Sequence, residues 1–126
     1  MTTTEKNILI DEFMGISHKS EFIQHKGEWR MSYSTYGSNW NELMPVVEKI
    51  DSMDYWTEIC NSPLGTKTRP NRLMWCEIGK DNHRELLLDD CYTRIARAEA
   101  STKIEAVYNA VYQFILWFNS QQNKTQ

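Results

Sequence analysis

The longest helical pattern in this 126-residue chain is Thr102-Lys-Ile-Glu-Ala-Val-Tyr-Asn-Ala-Val-Tyr-Gln-Phe-Ile-Leu-Trp-Phe-Asn119. Thr102 and Glu105 have the spacing of a capping box, which satisfies backbone amides at a helix start. Apolar residues then recur at helical spacing, at Ile104, Val107, Tyr108, Val111, Ile115 and Phe118. Phe114 and Trp117 widen this surface, so we predict a long amphipathic helix, ending at Asn119, that packs on a sheet or a second subunit. We expect residues 1–2 and 120–126 to be frayed.

Residues 3–14 also have a helical pattern. Thr3 or Thr4 can cap this helix, and Gly15 is well placed to end it. The connection 16–37 that follows is irregular, with a weak strand pattern at Trp29, Met31 and Tyr33. Because a connection this long is uncommon in a small domain, it is either a functional loop or part of the sheet.

A second helix opens within 38–42, where Asn39 can accept from the first backbone amides and Glu42 lies three residues later. Pro45 cannot donate a backbone hydrogen bond, and its ring crowds the preceding turn. We therefore expect either a kink in this helix or a later start near Leu43.

Two short aromatic segments, 55–60 and 72–78, predict a pair of antiparallel strands. Residues 83–99 fit either a helix or a strand, and we favour extended structure. These elements predict an α+β fold of one domain spanning 1–126. A small, mostly antiparallel sheet would lie between helices, and the apolar C-terminal helix makes a homodimer plausible.

Composition excludes several classes of function. The net charge of −3 and pI near 5.6 argue against general nucleic-acid binding, although cations concentrate in residues 61–103. The sequence has no run of apolar residues long enough for a membrane span and no secretory signal. Three widely spaced cysteines indicate reduced thiols. We therefore expect a protein of the cytoplasm, that of the host cell if a phage encodes it.

Two blocks of the sequence resemble a known group of proteins. One is Leu43-Met-Pro-Val-Val-Glu-Lys-Ile50, which follows an aromatic and polar run ending in Trp40. The other is Lys103-Ile-Glu-Ala-Val-Tyr-Asn-Ala-Val111 with the apolar residues after it. Both are similar to short phage and prophage proteins of the phage ABA-sandwich type. The resemblance covers about a quarter of the chain and implies a sheet between helices and a phage origin, but no catalytic residue.

We find no strong pattern for catalysis or for a cofactor. The ligand types of a zinc site are present in Cys60, Cys76, Cys91 and His83, but no two have the spacing of one metal-binding turn. A nucleophilic cysteine beside His83 would need a lowered pKa, which the neighbouring Asp89 and Asp90 oppose at Cys91. The sequence also has no GxGxxG, Walker or HExxH motif. We therefore expect no metal, no cofactor and no enzymatic activity.

Two groups of residues are candidates for binding. Cations cluster in and after the segment 66–72, at Lys67, Arg69, Arg72, Lys80 and Arg84, where they could hold a phosphate or an acidic surface. Aromatic residues precede or begin the second helix, at Trp29, Tyr33, Tyr36 and Trp40, where they could stack on bases or on a partner. The alternatives are a solvated hairpin loop for the cations and core packing for the aromatics.

The sequence leaves three functions open. The first is a non-catalytic phage accessory protein that binds a host protein or complex and antagonises a bacterial defence system. The second is sequestration of a small anionic ligand such as a signalling nucleotide. The third is a small enzyme of unknown type. Cations and aromatics that line one concave pocket would favour the second function, whereas a flat distribution would favour the first.

Overall fold

The computed structural model describes residues 2–16, 18–19, 22–25, 28–31, 36–61, 74–81 and 92–124. The described helices are α1 (Thr3–Phe13), α2 (Trp40–Ser52) and α3 (Lys103–Lys124). The strands of a first, small sheet are β1 (His18–Lys19), β2 (Phe22–His25) and β3 (Glu28–Met31). Those of the second sheet are β4 (Trp56–Asn61), β5 (Met74–Asp81) and β6 (Tyr92–Ala100).

The second sheet is antiparallel throughout, with β5 between β4 and β6. Cys76 pairs with Ile59 on one side and with Ala98 on the other, which fixes the register of the three strands. The predicted strand pair is therefore confirmed, and so is extended structure for the part of 83–99 that the structure describes. The weak strand pattern at Trp29 and Met31 corresponds to β3, in a sheet separate from the second one.

The three helices, the antiparallel sheet and the long C-terminal helix confirm the α+β class. Helix α3 begins as the sequence predicts, because the Thr102 hydroxyl accepts a hydrogen bond of 3.3 Å from the Glu105 amide. It continues to Lys124, five residues past the predicted end at Asn119. The polar residues 120–124 have no glycine or proline to stop the helix.

Helix α1 differs from expectation only at its cap. Thr2, and not Thr3 or Thr4, is the N-cap, and its hydroxyl accepts from the Glu5 amide at 3.1 Å. Gly15 follows the helix with φ of +79°, a conformation that favours glycine, so the predicted stop is confirmed.

Helix α2 starts early and contains the proline. The Asn39 side chain accepts from the Asn41 amide at 3.0 Å, and the helix runs from Trp40 with Pro45 inside it. The later start near Leu43 is therefore wrong. The proline removes one backbone bond, but the buried apolar face of α2 outweighs that loss, with these residues in the core: Leu43, Val46, Val47 and Ile50.

The core lies between the helices and one face of the second sheet, which we call the inner sheet face. Cys76 and Ile78 of β5 and Ala96 and Ala98 of β6 form this face, and all are buried. Helix α3 packs on it, and α2 and Ile10 of α1 join the same core. The opposite face of the sheet is the outer sheet face. All three described helices contribute to the core on the inner face, and none of them to a core on the outer face. The second helical layer of an ABA sandwich is therefore not among the described elements.

None of the described helices combines the length and the apolar character that a membrane-spanning segment needs.

Candidate functional site

Helices α1 and α3 lie side by side and run in the same direction. Near their starts, the Tyr108 hydroxyl donates a hydrogen bond of 2.9 Å to the Asn7 side-chain oxygen. Near their ends, the Phe13 ring meets the Phe118 ring edge-on, with centroids 5.8 Å apart. Early residues of α1 thus contact early residues of α3, and both helices begin at the same end of the molecule.

A pocket opens between these two helix starts, and we call it the α1–α3 pocket. Its volume is about 510 Å³, within the range of sites for small molecules. The turn before α2 closes one side of it. Nine residues line the pocket: Thr3, Lys6, Asn7, Gly37, Ser38, Thr102, Glu105, Tyr108 and Asn109. Every lining residue except Gly37 has a hydroxyl, amide or charged group in its side chain.

The pocket has one charge of each sign, on opposite walls. Lys6 belongs to the α1 wall, and its ammonium lies 4.5 Å from the centroid of the Tyr112 ring. Glu105 belongs to the α3 wall and is exposed in the first turn of that helix. Among the described ion pairs, neither Lys6 nor Glu105 has a partner.

The inner end of the pocket is rigid and uncharged. Burial raises the pKa of Tyr108, so its phenol stays neutral at physiological pH and donates to Asn7. Gly37 lies against the Tyr108 ring, where an added Cβ would meet ring carbons at about 3.5 Å. Next to it, buried Tyr36 donates a hydrogen bond to buried Asp11. This packing holds the lining in place before any ligand arrives.

The outer sheet face is the second candidate surface. Arg97 donates from Nε to Glu77 at 3.1 Å and pairs with Glu99 at 2.6 Å. These carboxylates raise the pKa of Arg97, which remains charged, and its guanidinium carbon lies 5.9 Å from the centroid of the Trp75 ring. Arg94 adds a looser contact of 3.6 Å to Glu77, and its side chain is 56% exposed.

The predicted cations are only partly placed. Lys67, Arg69, Arg72 and Arg84 lie outside the described residues. Lys80 is exposed on β5, roughly 20 Å along the strand from Met74, where the connection 62–73 joins the sheet. Lys80 therefore lies near one end of β5, and Met74 lies at the other end.

The structure describes the side chains of two of the four predicted aromatic residues. Tyr36 belongs to the core, with 5% of its surface exposed, beside the turn that lines the α1–α3 pocket. Trp40 begins α2 and is 37% exposed. Trp29 lies in β3, of which only the backbone is described here, and Tyr33 is outside the described residues. A stacking wall of these four residues stays a prediction.

The two described thiols lie on opposite faces of the second sheet. Cys76 belongs to the inner sheet face, whereas Cys60 is on the adjacent strand and faces the other way. Burial raises the pKa of Cys76 to about 12, and burial with the neighbouring Glu58 raises that of Cys60. No group of three metal-ligating side chains occurs among the residues that the structure places. Cys91 and His83 of the weighed zinc set lie outside them.

Sequence reasoning missed the α1–α3 pocket. Its two walls are about a hundred residues apart in the chain, as the Asn7–Tyr108 separation of 101 shows. Tyr108 was expected only to pack, and Lys6, Asn7 and Glu105 carry no motif. The only sequence signal is that both helices begin with threonines and have polar residues in their first turns.

Comparison with known proteins identifies a solved structure with a similar fold. No family model matches the sequence, and no curated protein matches it significantly. A crystal structure at 2.0 Å resolution of a phage protein from Bacillus cereus ATCC 14579 is similar, with a TM-score of 0.53 and 16% sequence identity. The match covers 91% of this chain and 88% of that one. The chain therefore shares its fold with a phage protein over nearly its whole length.

Proposed function

We propose that the protein is a non-catalytic accessory protein of a phage, which acts in the host cytoplasm by binding a host protein or complex. The fold likeness to a phage protein and the two phage-like sequence blocks support the phage origin. The raised pKa values of the two described thiols argue against either of them as a nucleophile.

The observation that carries the proposal is the ordered arrangement of the outer sheet face. Two carboxylates hold Arg97 beside the half-buried Trp75 on β5 and β6, so little side-chain entropy is lost when a partner binds. Tryptophan and arginine are the residue types that contribute most to protein interfaces. A face formed by three strands is also broad, which suits a protein better than a small ligand.

The role that we propose for this binding is antagonism of a bacterial defence system. A small protein that has no reaction of its own can block a larger one by occupying the surface that the larger one needs. A protein partner with carboxylates at the edge of its binding surface would meet the exposed Arg94.

The test compares capture of host proteins by the wild-type chain and by the double variant Arg94→Ala/Arg97→Ala. The Arg97–Glu77 pair is partly buried, so the variant should lose some stability, and its melting curve checks that it remains folded. We expect the variant to lose the captured protein and the control Lys103→Ala, which removes a cation from α3, to retain it. Equal capture by the double variant would rule out the outer sheet face.

A separate variant tests the predicted basic segment. If Lys67, Arg69 and Arg72 contribute, replacing all three by glutamate should abolish capture, because the partner would then face like charge. Undiminished capture by the triple variant would remove this segment from the interface and leave the proposal for the sheet face intact.

Sequestration of a small anionic ligand is the second candidate function. The α1–α3 pocket supports it, since the pocket is concave and contains a lysine that no described carboxylate neutralises. An enzyme of unknown type remains the third alternative, and no described group of residues favours it.

A further inference from the structure

We infer that the α1–α3 pocket binds a nucleoside 5′-phosphate, with the phosphate against Lys6 and the ribose hydroxyls against Glu105. The inference deepens the second candidate function and rests on it. It is independent of the outer sheet face, which lies on the other side of the sheet from the helices.

The α1 wall suits a phosphate. Thr3 and Lys6 are three residues apart, so their side chains share one face of the helix. A lysine ammonium and a threonine hydroxyl are both donors, and charge-assisted bonds to phosphate oxygens are the stronger class of hydrogen bond. The Tyr112 ring beside the ammonium limits its freedom without neutralising it.

The α3 wall suits hydroxyl groups. Glu105 and Asn109 are one helical turn apart, and both line the pocket. A carboxylate accepts hydrogen bonds from ribose hydroxyls in many nucleotide sites, and it repels phosphate. Glu105 therefore excludes the phosphate from the α3 wall and orients the ligand, with its phosphate toward Lys6.

The volume of the α1–α3 pocket favours a nucleotide over smaller ligands that have charges of both signs. A free amino acid could place its carboxylate on Lys6 and its ammonium on Glu105, but it would leave much of the 510 Å³ unfilled. A nucleotide fills more of the space and also reaches the side-chain amide of Asn109. The neutral, hydrogen-bonded Tyr108 and Asn7 form the inner end, where the sugar would contact uncharged groups.

The test measures the melting temperature and the dissociation constant with AMP, GMP, CMP and UMP, each used separately. Three smaller probes are measured in the same way. Adenosine represents the nucleoside without its phosphate, inorganic phosphate represents the phosphate alone, and glycine represents a free amino acid. We expect at least one nucleotide to raise the melting temperature of the full chain more than any of these probes. No stabilisation by any of the four nucleotides, or equal stabilisation by glycine, would overturn the inference.

Two variants test which residue contacts the phosphate of the ligand and which contacts its ribose. Lys6→Gln should raise the dissociation constant for the nucleotide roughly tenfold to hundredfold and leave that for the nucleoside unchanged. Glu105→Gln should reduce the preference for the nucleotide over its 2′,3′-dideoxy analogue. Lys103→Gln, which removes a cation that does not line the pocket, is the control. Wild-type affinity in Lys6→Gln contradicts the inference, whichever result the outer sheet face gives.

Discussion

Tyr108 joins the two helices that form the pocket, and it does so through one hydroxyl. The phenol is buried and donates to Asn7, which is also buried, so each satisfies the other away from water. Asp11 and Tyr36 make a second buried polar contact nearby. These two side-chain hydrogen bonds therefore join buried polar groups of α1 to α3 and to the turn before α2.

Tyr108→Phe should lower the free energy of unfolding by about 0.5–1.5 kcal/mol, because it removes the buried hydrogen bond from the Tyr108 hydroxyl to Asn7. Tyr112→Phe, on the same helix at a half-buried position, is the control and should change stability by less than about 0.5 kcal/mol. Urea denaturation of both variants measures the difference. Equal effects of the two substitutions would show that the hydrogen bond contributes little.

The same residue should make stability depend on alkaline pH. Burial raises the pKa of Tyr108 above its ordinary value of 10.0 in the folded state. The folded state therefore retains a proton that the unfolded chain loses, so this contribution is full below pH 10 and is lost as pH rises through the folded pKa. The stability difference between wild type and Tyr108→Phe should shrink from pH 9 to pH 11. A difference that stays constant would contradict the assigned cause.

The buried thiol should be chemically inert. In the variant Cys60→Ser/Cys91→Ser, the remaining Cys76 has a pKa of about 12 because it is buried, so almost no thiolate forms at pH 8. We expect no labelling by a thiol reagent in the folded protein and one label per chain in denaturant. Rapid labelling without denaturant would mean that the inner sheet face opens.

At the scale of elements, the sequence patterns predicted those helix starts that depend on hydrogen bonds between residues close together in the chain. The capping residues Asn39 and Thr102 were identified correctly, since each acts within three residues of its own position. The N-cap of α1 and the last residue of α3 were not identified correctly, because several neighbouring polar residues could cap α1 or end α3. The pocket could not be predicted, since it depends on the packing of α1 against α3 and leaves no local pattern.

Gly79 shows how closely two strands and one ring approach. A Cβ at this position would overlap the Trp56 ring and lie 2.7 Å from the Thr93 carbonyl oxygen. Gly79→Ala should therefore cost roughly 1–3 kcal/mol of stability. Gly37→Ala, whose Cβ would meet only the Tyr108 ring at ordinary distance, should stay within about 0.5 kcal/mol. Thermal unfolding compares the two, and a tolerated alanine at position 79 would contradict the described register.

At the scale of the whole molecule, much of the surface on which the dimer prediction depended is internal. Trp117 packs edge-on to Tyr55 and also contacts Phe114 within the core. Leu116 remains 41% exposed on α3. The homodimer stays a prediction, which sedimentation over a range of concentrations can test, and a monomer at every concentration would contradict it.

The whole molecule presents two surfaces of different kinds. The outer sheet face has charges held in ion pairs, whereas the α1–α3 pocket is concave and has two charges without an ion-pair partner among the described residues. The first suits a protein and the second a small ligand. Because the sheet and the helix layer separate them, variants of one surface should leave binding at the other unchanged.

The most direct test of the central claim is photo-cross-linking in host cells. A photoreactive residue replaces the exposed Glu58 of β4 on the outer sheet face, so that Arg94 and Arg97 are kept, or, in the control, the exposed Leu116 on α3. We predict a covalent adduct with one host protein from position 58 and none from position 116. Adducts that are equal at the two positions, or absent from position 58, would contradict the proposal that this protein acts by binding a host protein through that face.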